Sequence, residues 1–136
     1  MFKYIFLIAV LFTQLLASSY GVGDIISIEH QNMEFSYCYP SDSTDTFSFS
    51  KYTGKVFVLD MSASWWDPCK NSIPEGEELY EYWSDDDRVE IIHFLDDLNQ
   101  PYSCNQWGNV ATNGMPLITD DTGLPMFGLF HTDNLL

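Results

Sequence analysis

The sequence predicts an α/β domain with a central, mostly parallel β-sheet flanked by helices. Two short apolar runs carry that expectation, Lys55-Val56-Phe57-Val58-Leu59-Asp60-Met61 and Val89-Glu90-Ile91-Ile92-His93-Phe94-Leu95. Both have the length and β-branched content of strands. A continuous apolar run of this kind suits a strand buried on both faces, as in parallel sheets covered by helices. Between the runs, Ile73, Gly76, Leu79, Tyr80 and Trp83 recur at helical spacing, with Glu75, Glu77, Glu78 and Glu81 around them. Strand, helix and strand within about forty residues form a βαβ unit, whose strands are parallel and whose crossover is right-handed.

The elements follow in order. Met1-Phe2-Lys3 brings one positive charge, and Tyr4 to Ala17 is apolar apart from Thr13 and Gln14, with small residues at Ala17, Ser18 and Ser19. That pattern reads as a secretory signal over residues 1–19, ahead of a domain over 20–136. The alternative is an uncleaved anchor, but the run is shorter than the ~20 residues a spanning helix needs. Cleavage leaves about 117 residues, enough for one core and too few for two domains. The mature chain is then secreted or periplasmic and free of the membrane.

Beyond the signal, Met33 to Tyr39 alternates like a strand, and Pro40 to Thr46 is a polar loop. Phe47-Ser48-Phe49-Ser50 can add a short extended piece. Pro68 sits where the crossover helix should begin, while Pro74 and Gly76 weaken that helix. Asp85-Asp86-Asp87 ends it. Asp96 to Pro101 is a loop, Ser103 is an N-cap candidate for a helix through Cys104, Trp107 and Val110, and Leu117-Ile118-Thr119 is a third short strand. Met126 to Phe130 fits either helix or strand.

Charge excludes one class of partner. The formal net charge is −15, and only Lys51, Lys55, Lys70 and Arg88 are basic after the signal. No basic stripe exists to displace counterions from a phosphate backbone, so no nucleic acid is expected. The clusters Asp85-Asp86-Asp87, Asp96-Asp97 and Asp120-Asp121 lack the ligand spacing of a calcium loop and read as solvated surface. His30, His93 and His131 show no zinc-ligand spacing with the cysteines. No metal and no cofactor are expected. His93 reads as a satisfied core residue within an apolar strand, and the many aromatic residues read as core.

The chemistry concentrates after the first apolar run, at Ser62-Ala63-Ser64-Trp65-Trp66-Asp67-Pro68-Cys69-Lys70. Catalytic groups of parallel sheets collect beyond the carboxyl ends of the strands. This turn resembles the active-site turn of the thioredoxin-like superfamily, in its redoxin-type extracytoplasmic branch of thiol–disulfide oxidoreductases. The usual form is Ala-Ser-Trp-Cys-Gly-Pro-Cys-Lys. The likeness covers roughly Gly54 to Phe130 and includes Gly54-Lys55-Val56 and Pro116-Leu117-Ile118-Thr119-Asp120-Asp121.

The resemblance implies a thioredoxin-like fold and partners that are protein or peptide thiols and disulfides. In that family a thiolate stabilised at a helix N-terminus attacks a disulfide, and a second cysteine resolves the intermediate. Here Trp66 holds the attacking position and Cys69 the resolving position. Asp67 replaces the glycine, and its carboxylate opposes thiolate formation nearby. The dithiol mechanism is therefore impaired as the sequence is written. A TGA selenocysteine codon read as Trp would instead place a selenol at position 66.

Two functions remain. One is the oxidoreductase class, with Cys69 as the remaining thiol and Cys104 as its candidate partner, since both follow neighbouring parallel strands. The other is a redox-inactive module that binds peptide or protein through Trp65, Trp66 and Pro68, with Cys69 packing as a small hydrophobe. The three cysteines, Cys38, Cys69 and Cys104, cannot all pair within one chain. The end of the domain also has two readings. Met115-Pro116 is the family's cis-proline, followed by a hairpin, or Pro116 opens an inserted strand and residues 124–131 form a helix. In the second reading the C-terminal hairpin and helix are missing, leaving an exposed sheet edge.

Overall fold

The computed structural model describes residues 19–112, 115 and 117–130. All but Ser19 of the expected signal, and Pro116 with it, lie outside the described residues. The chain forms an α/β unit around one five-stranded sheet. A short helix α1 (Ile28–Gln31) precedes β1 (Phe35–Tyr39) and β2 (Thr46–Phe47). A 3-10 turn (Phe49–Tyr52) leads to β3 (Val56–Ala63), α2 (Asp67–Asn71) and α3 (Ile73–Trp83). The remainder is β4 (Val89–Asp96), α4 (Cys104–Gly108), β5 (Ile118–Asp120) and α5 (Pro125–Phe130).

The strand order is β2-β1-β5-β4-β3. β3 and β4 are parallel with Val56 opposite Val89 and Ala63 opposite Asp96, so the expected βαβ crossover is present. β5 is also parallel to β4. β1 runs antiparallel to both β5 and β2. The sheet is therefore mixed, not mostly parallel. The antiparallel half comes from the segment before β3, whose strands are joined by the Pro40 to Asp45 loop and need no helical crossover.

Alternation along β4 divides the core between two faces. Ile92 and Phe94 join Phe35, Tyr37, Phe47, Phe49, Met126 and Leu129 on one face. Leu95 joins Ile73, Cys104, Trp107 and Ile118 on the other. The first cluster is an array of edge-on aromatic rings, with Phe47 and Phe94 at 5.6 Å and Phe49 and Phe57 at 5.1 Å. The core reading of the aromatics holds for these residues and for Trp107, which is fully buried.

Burial on both faces holds for β4 and fails for β3. Ile92 is 1 % exposed, whereas Val56 is 63 % exposed. β3 is the last strand of the sheet, so its flank lacks the neighbour that encloses β4. The same edge limits α3. Leu79, Tyr80 and Trp83 stay partly exposed, while Ile73 and Glu77 are buried.

The expected crossover helix is two helices. Pro74 cannot donate, and its ring clashes with the carbonyl four residues back, so Ser72 breaks the run before α3 starts. Gly76 donates to the Ser72 carbonyl at 3.0 Å and lies within the continuous second helix. The Ser103 cap is present in full. Its hydroxyl accepts from Gln106 N–H at 3.2 Å, and the Gln106 side chain accepts from Ser103 N–H at 2.9 Å. Residues 125–130 are helix, and β5 lies between β4 and β1.

Candidate functional site

β3 and β4 end side by side, and the turn after each is built against the other. Ser64 N–H donates to the Asp96 carbonyl at 3.2 Å. The buried Ser64 hydroxyl lies within hydrogen-bond reach of the carbonyls of Asp97 and Gln100, between which its one proton is shared. The Trp65 indole N–H donates to the Asp97 carboxylate. A small hydroxyl residue at position 64 is thus what lets the turn dock on the loop after β4. Trp66 caps α2 in an extended conformation and Pro68 occupies its first turn, as the sequence suggested.

This edge of the sheet opens into a cleft of about 410 Å³. Met61, Trp65, Trp66, Leu124 and Phe127 give it apolar walls, and Cys69, Asp96, Asp97 and Asp121 also border it. Trp65 and Trp66 are 60 % and 52 % exposed, unlike the aromatic residues of the core. Cys69 is half-buried one helical turn from Trp66, its N–H bonded to the Trp66 carbonyl at 3.0 Å. Trp65, Trp66 and Cys69 thus line one cleft. Pro68 does not line it and serves to start the helix.

Cys104 has a different role from the one expected. It forms a disulfide with Cys38, with Cα atoms 5.9 Å apart, joining α4 to β1. Cys69 is the free thiol. The shared sheet edge correctly placed Cys104 on α4 beyond β4, but the antiparallel β1 brings Cys38 to it instead. Sequence alone could not see β1 beside β5, so it could not choose that partner.

One member of each acidic pair at the cleft, Asp96 and Asp121, is not the solvated surface expected. Asp121 is 2 % exposed, and its carboxylate accepts from Met126 N–H at 2.7 Å and Phe127 N–H at 3.2 Å, holding the start of α5. Burial pushes its carboxyl above the ordinary 3.8, against those hydrogen bonds. Asp96 is buried too and accepts from Gly123 N–H at 3.1 Å. The available signal was Asp121 lying four residues before Pro125, a loop acid ahead of a helix start. Among the described residues no group of His, Cys, Asp and Glu is arranged to hold a metal ion.

His93 is a satisfied core residue, as expected. It is buried, with Nδ1 2.8 Å from Asp60 and Nε2 3.0 Å from the Trp107 indole nitrogen. The indole can only donate, so Nε2 accepts and the Nδ1 proton goes to Asp60. Burial pushes the Asp60 carboxyl up, but the contact with His93, helped by Ser62, outweighs it and holds the group below 3.8.

No family model, no curated protein and no solved structure matches this chain. The site is therefore read from its geometry. It offers apolar contact through two exposed indoles, one thiol, and no second thiol, because the other two cysteines are joined.

Proposed function

We propose that this is a thioredoxin-like, extracytoplasmic binding module whose cleft beside Trp65 and Trp66 holds an extended peptide or protein segment. The observation that carries the reading is the pairing of an open apolar cleft with a single thiol in its wall. Dithiol exchange needs a second thiol to resolve the intermediate. With Trp66 at the attacking position and Cys104 bonded to Cys38, the chain has no thiol for that step.

Cys69 retains monothiol chemistry. Its thiolate can attack a disulfide of the bound segment, forming one Cys69–sulfur bond and releasing the other sulfur as a thiolate. The mixed disulfide then persists until an external thiol attacks it. The domain therefore retains a partner more readily than it turns one over. This keeps it in the thiol–disulfide exchange class while removing the catalytic cycle.

The test is a titration with a neutral apolar peptide, acetyl-Ala-Leu-Phe-Leu-Ala-amide, followed by tryptophan emission. Wild type should bind it, and Trp66→Ala should weaken binding at least tenfold with the fold intact by circular dichroism. Equal affinity in the two proteins refutes the cleft as the binding site. In an insulin-reduction assay wild type should show no turnover, and Trp66→Cys should gain it, because the pair 66 and 69 then spans one helical turn. Turnover by wild type that disappears in Cys69→Ala would restore the oxidoreductase reading.

A further inference from the structure

The outer side of β3 is an unpaired strand edge eight residues long that runs into the cleft. Its hydrogen-bonding register follows from two bonds. Val56 N–H donates to the Arg88 carbonyl at 2.8 Å, and Ser64 N–H donates to the Asp96 carbonyl at 3.2 Å. Alternation makes the even-numbered residues face β4, so Phe57, Leu59 and Met61 direct their N–H and C=O groups outward. Ala63 N–H points the same way, while the Ala63 carbonyl is taken by Trp66 N–H at 3.1 Å. Among the described residues no strand pairs with this edge.

The side chains beside the edge differ by face. Phe57, Leu59 and Met61 lie on the apolar face, packed against the aromatic cluster. Val56, Val58, Asp60 and Ser62 lie on the other, where Asp60 is about half exposed. Asp97 borders the cleft end. Among the described residues each cation has a partner: Lys51 with Asp45, Lys55 at the start of the edge with Glu90, Arg88 with Asp86, and Lys70 with the Tyr102 hydroxyl. With a net charge of −15, a second copy of this chain meets like charge at the edge. A basic segment meets opposite charge.

We propose that the edge of β3 takes an extended peptide segment of alternating apolar and basic residues, added to the sheet as a sixth strand. Backbone bonds form at Phe57, Leu59 and Met61. The apolar side chains continue the Phe57-Leu59-Met61 face toward the cleft, and the basic ones lie on the Asp60 side. This rests on the reading of the cleft as a binding site and specifies its partner.

The test compares three capped octapeptides by tryptophan emission and amide hydrogen exchange: acetyl-(Lys-Val)4-amide, acetyl-(Glu-Val)4-amide, and the lysine peptide N-methylated at every second residue. The lysine peptide should bind at least tenfold tighter than either of the others. It should weaken with added salt and slow exchange at Phe57, Leu59 and Met61. Equal binding of the lysine and glutamate peptides overturns the proposal, as does tight binding of the N-methylated one. So does concentration-dependent protection of the same amides in protein alone, which would assign the edge to self-association. If the neutral peptide still binds in a Trp66-dependent way while the lysine peptide does not, this proposal falls and the cleft reading stands.

Discussion

β3 and β4 are near-equals in sequence and opposites in the fold. Each is eight residues long, each carries Val, Leu and Phe, and they pair residue for residue. Leu95 and Phe94 are fully buried in β4, whereas in β3 Ser62 alone is buried. The difference lies in neighbours. β4 has β5 on one side and β3 on the other, while β3 has β4 alone. An apolar run thus shows that a strand forms and leaves open whether it becomes core or edge. In this chain the edge strand leads to the site, because the incomplete cover that leaves β3 open also leaves Trp65, Trp66 and Cys69 accessible.

The largest effect on the enclosed side belongs to the disulfide. Cys38–Cys104 ties β1 and α4 together over the enclosed side of the sheet across 66 residues of chain. Replacing both cysteines with serine should cost about 4 kcal/mol, from the lost restriction of the unfolded chain. Urea denaturation of the double variant measures it, and a loss under about 1 kcal/mol would mean that this staple does not hold β4's surroundings.

The register pair Leu59 and Ile92 sharpens the contrast at single-residue level. Ile92→Ala should cost about 3 kcal/mol, since a fully enclosed site cannot collapse around the cavity. Leu59→Ala should cost about half as much, near 1.5 kcal/mol, because its site already meets solvent. Equal losses in urea would show that the edge strand is as enclosed as the central one.

The Asp60–His93 pair joins the same two strands directly across the ladder. Asp60 has its native carboxyl below the ordinary 3.8. The stability it contributes is therefore present above that value and lost as pH falls through the native one. Melting temperatures of wild type and Asp60→Asn should differ near neutrality and converge in acid. Parallel curves would mean that the Asp60–His93 hydrogen bond does not couple β3 to β4. The smallest effect belongs to Val56, at the most exposed position of β3. Val56→Thr should change stability by less than about 0.5 kcal/mol, and a larger loss by thermal melting would show that this end of the edge is covered in solution.

Legibility followed the range of the interactions. The strands at 56–63 and 89–96, the Ser103 cap, the break near Pro74 and the exposed turn at Trp65 and Trp66 were all readable, since each depends on residues a few positions apart. The antiparallel half of the sheet was not. Met33 to Tyr39 looked like a strand, but nothing local says that it pairs with residues 118–119. The roles of Asp96 and Asp121 were hidden for the same reason. An acid looks like surface until a helix start or a loop N–H is brought against it.

Sequence alone set the α/β class, the place of the Trp65-Trp66 turn after the first apolar run, and the absence of a cysteine three residues before Cys69. These follow from periodicity, backbone chemistry and residue identity, which act locally. Tertiary structure alone decided that Cys38 takes Cys104, that β3 lies at the edge and β4 at the centre, and that two aspartates are enclosed beside an open cleft. Each of those depends on which distant segments share a surface, and that is set by the packing of the whole sheet.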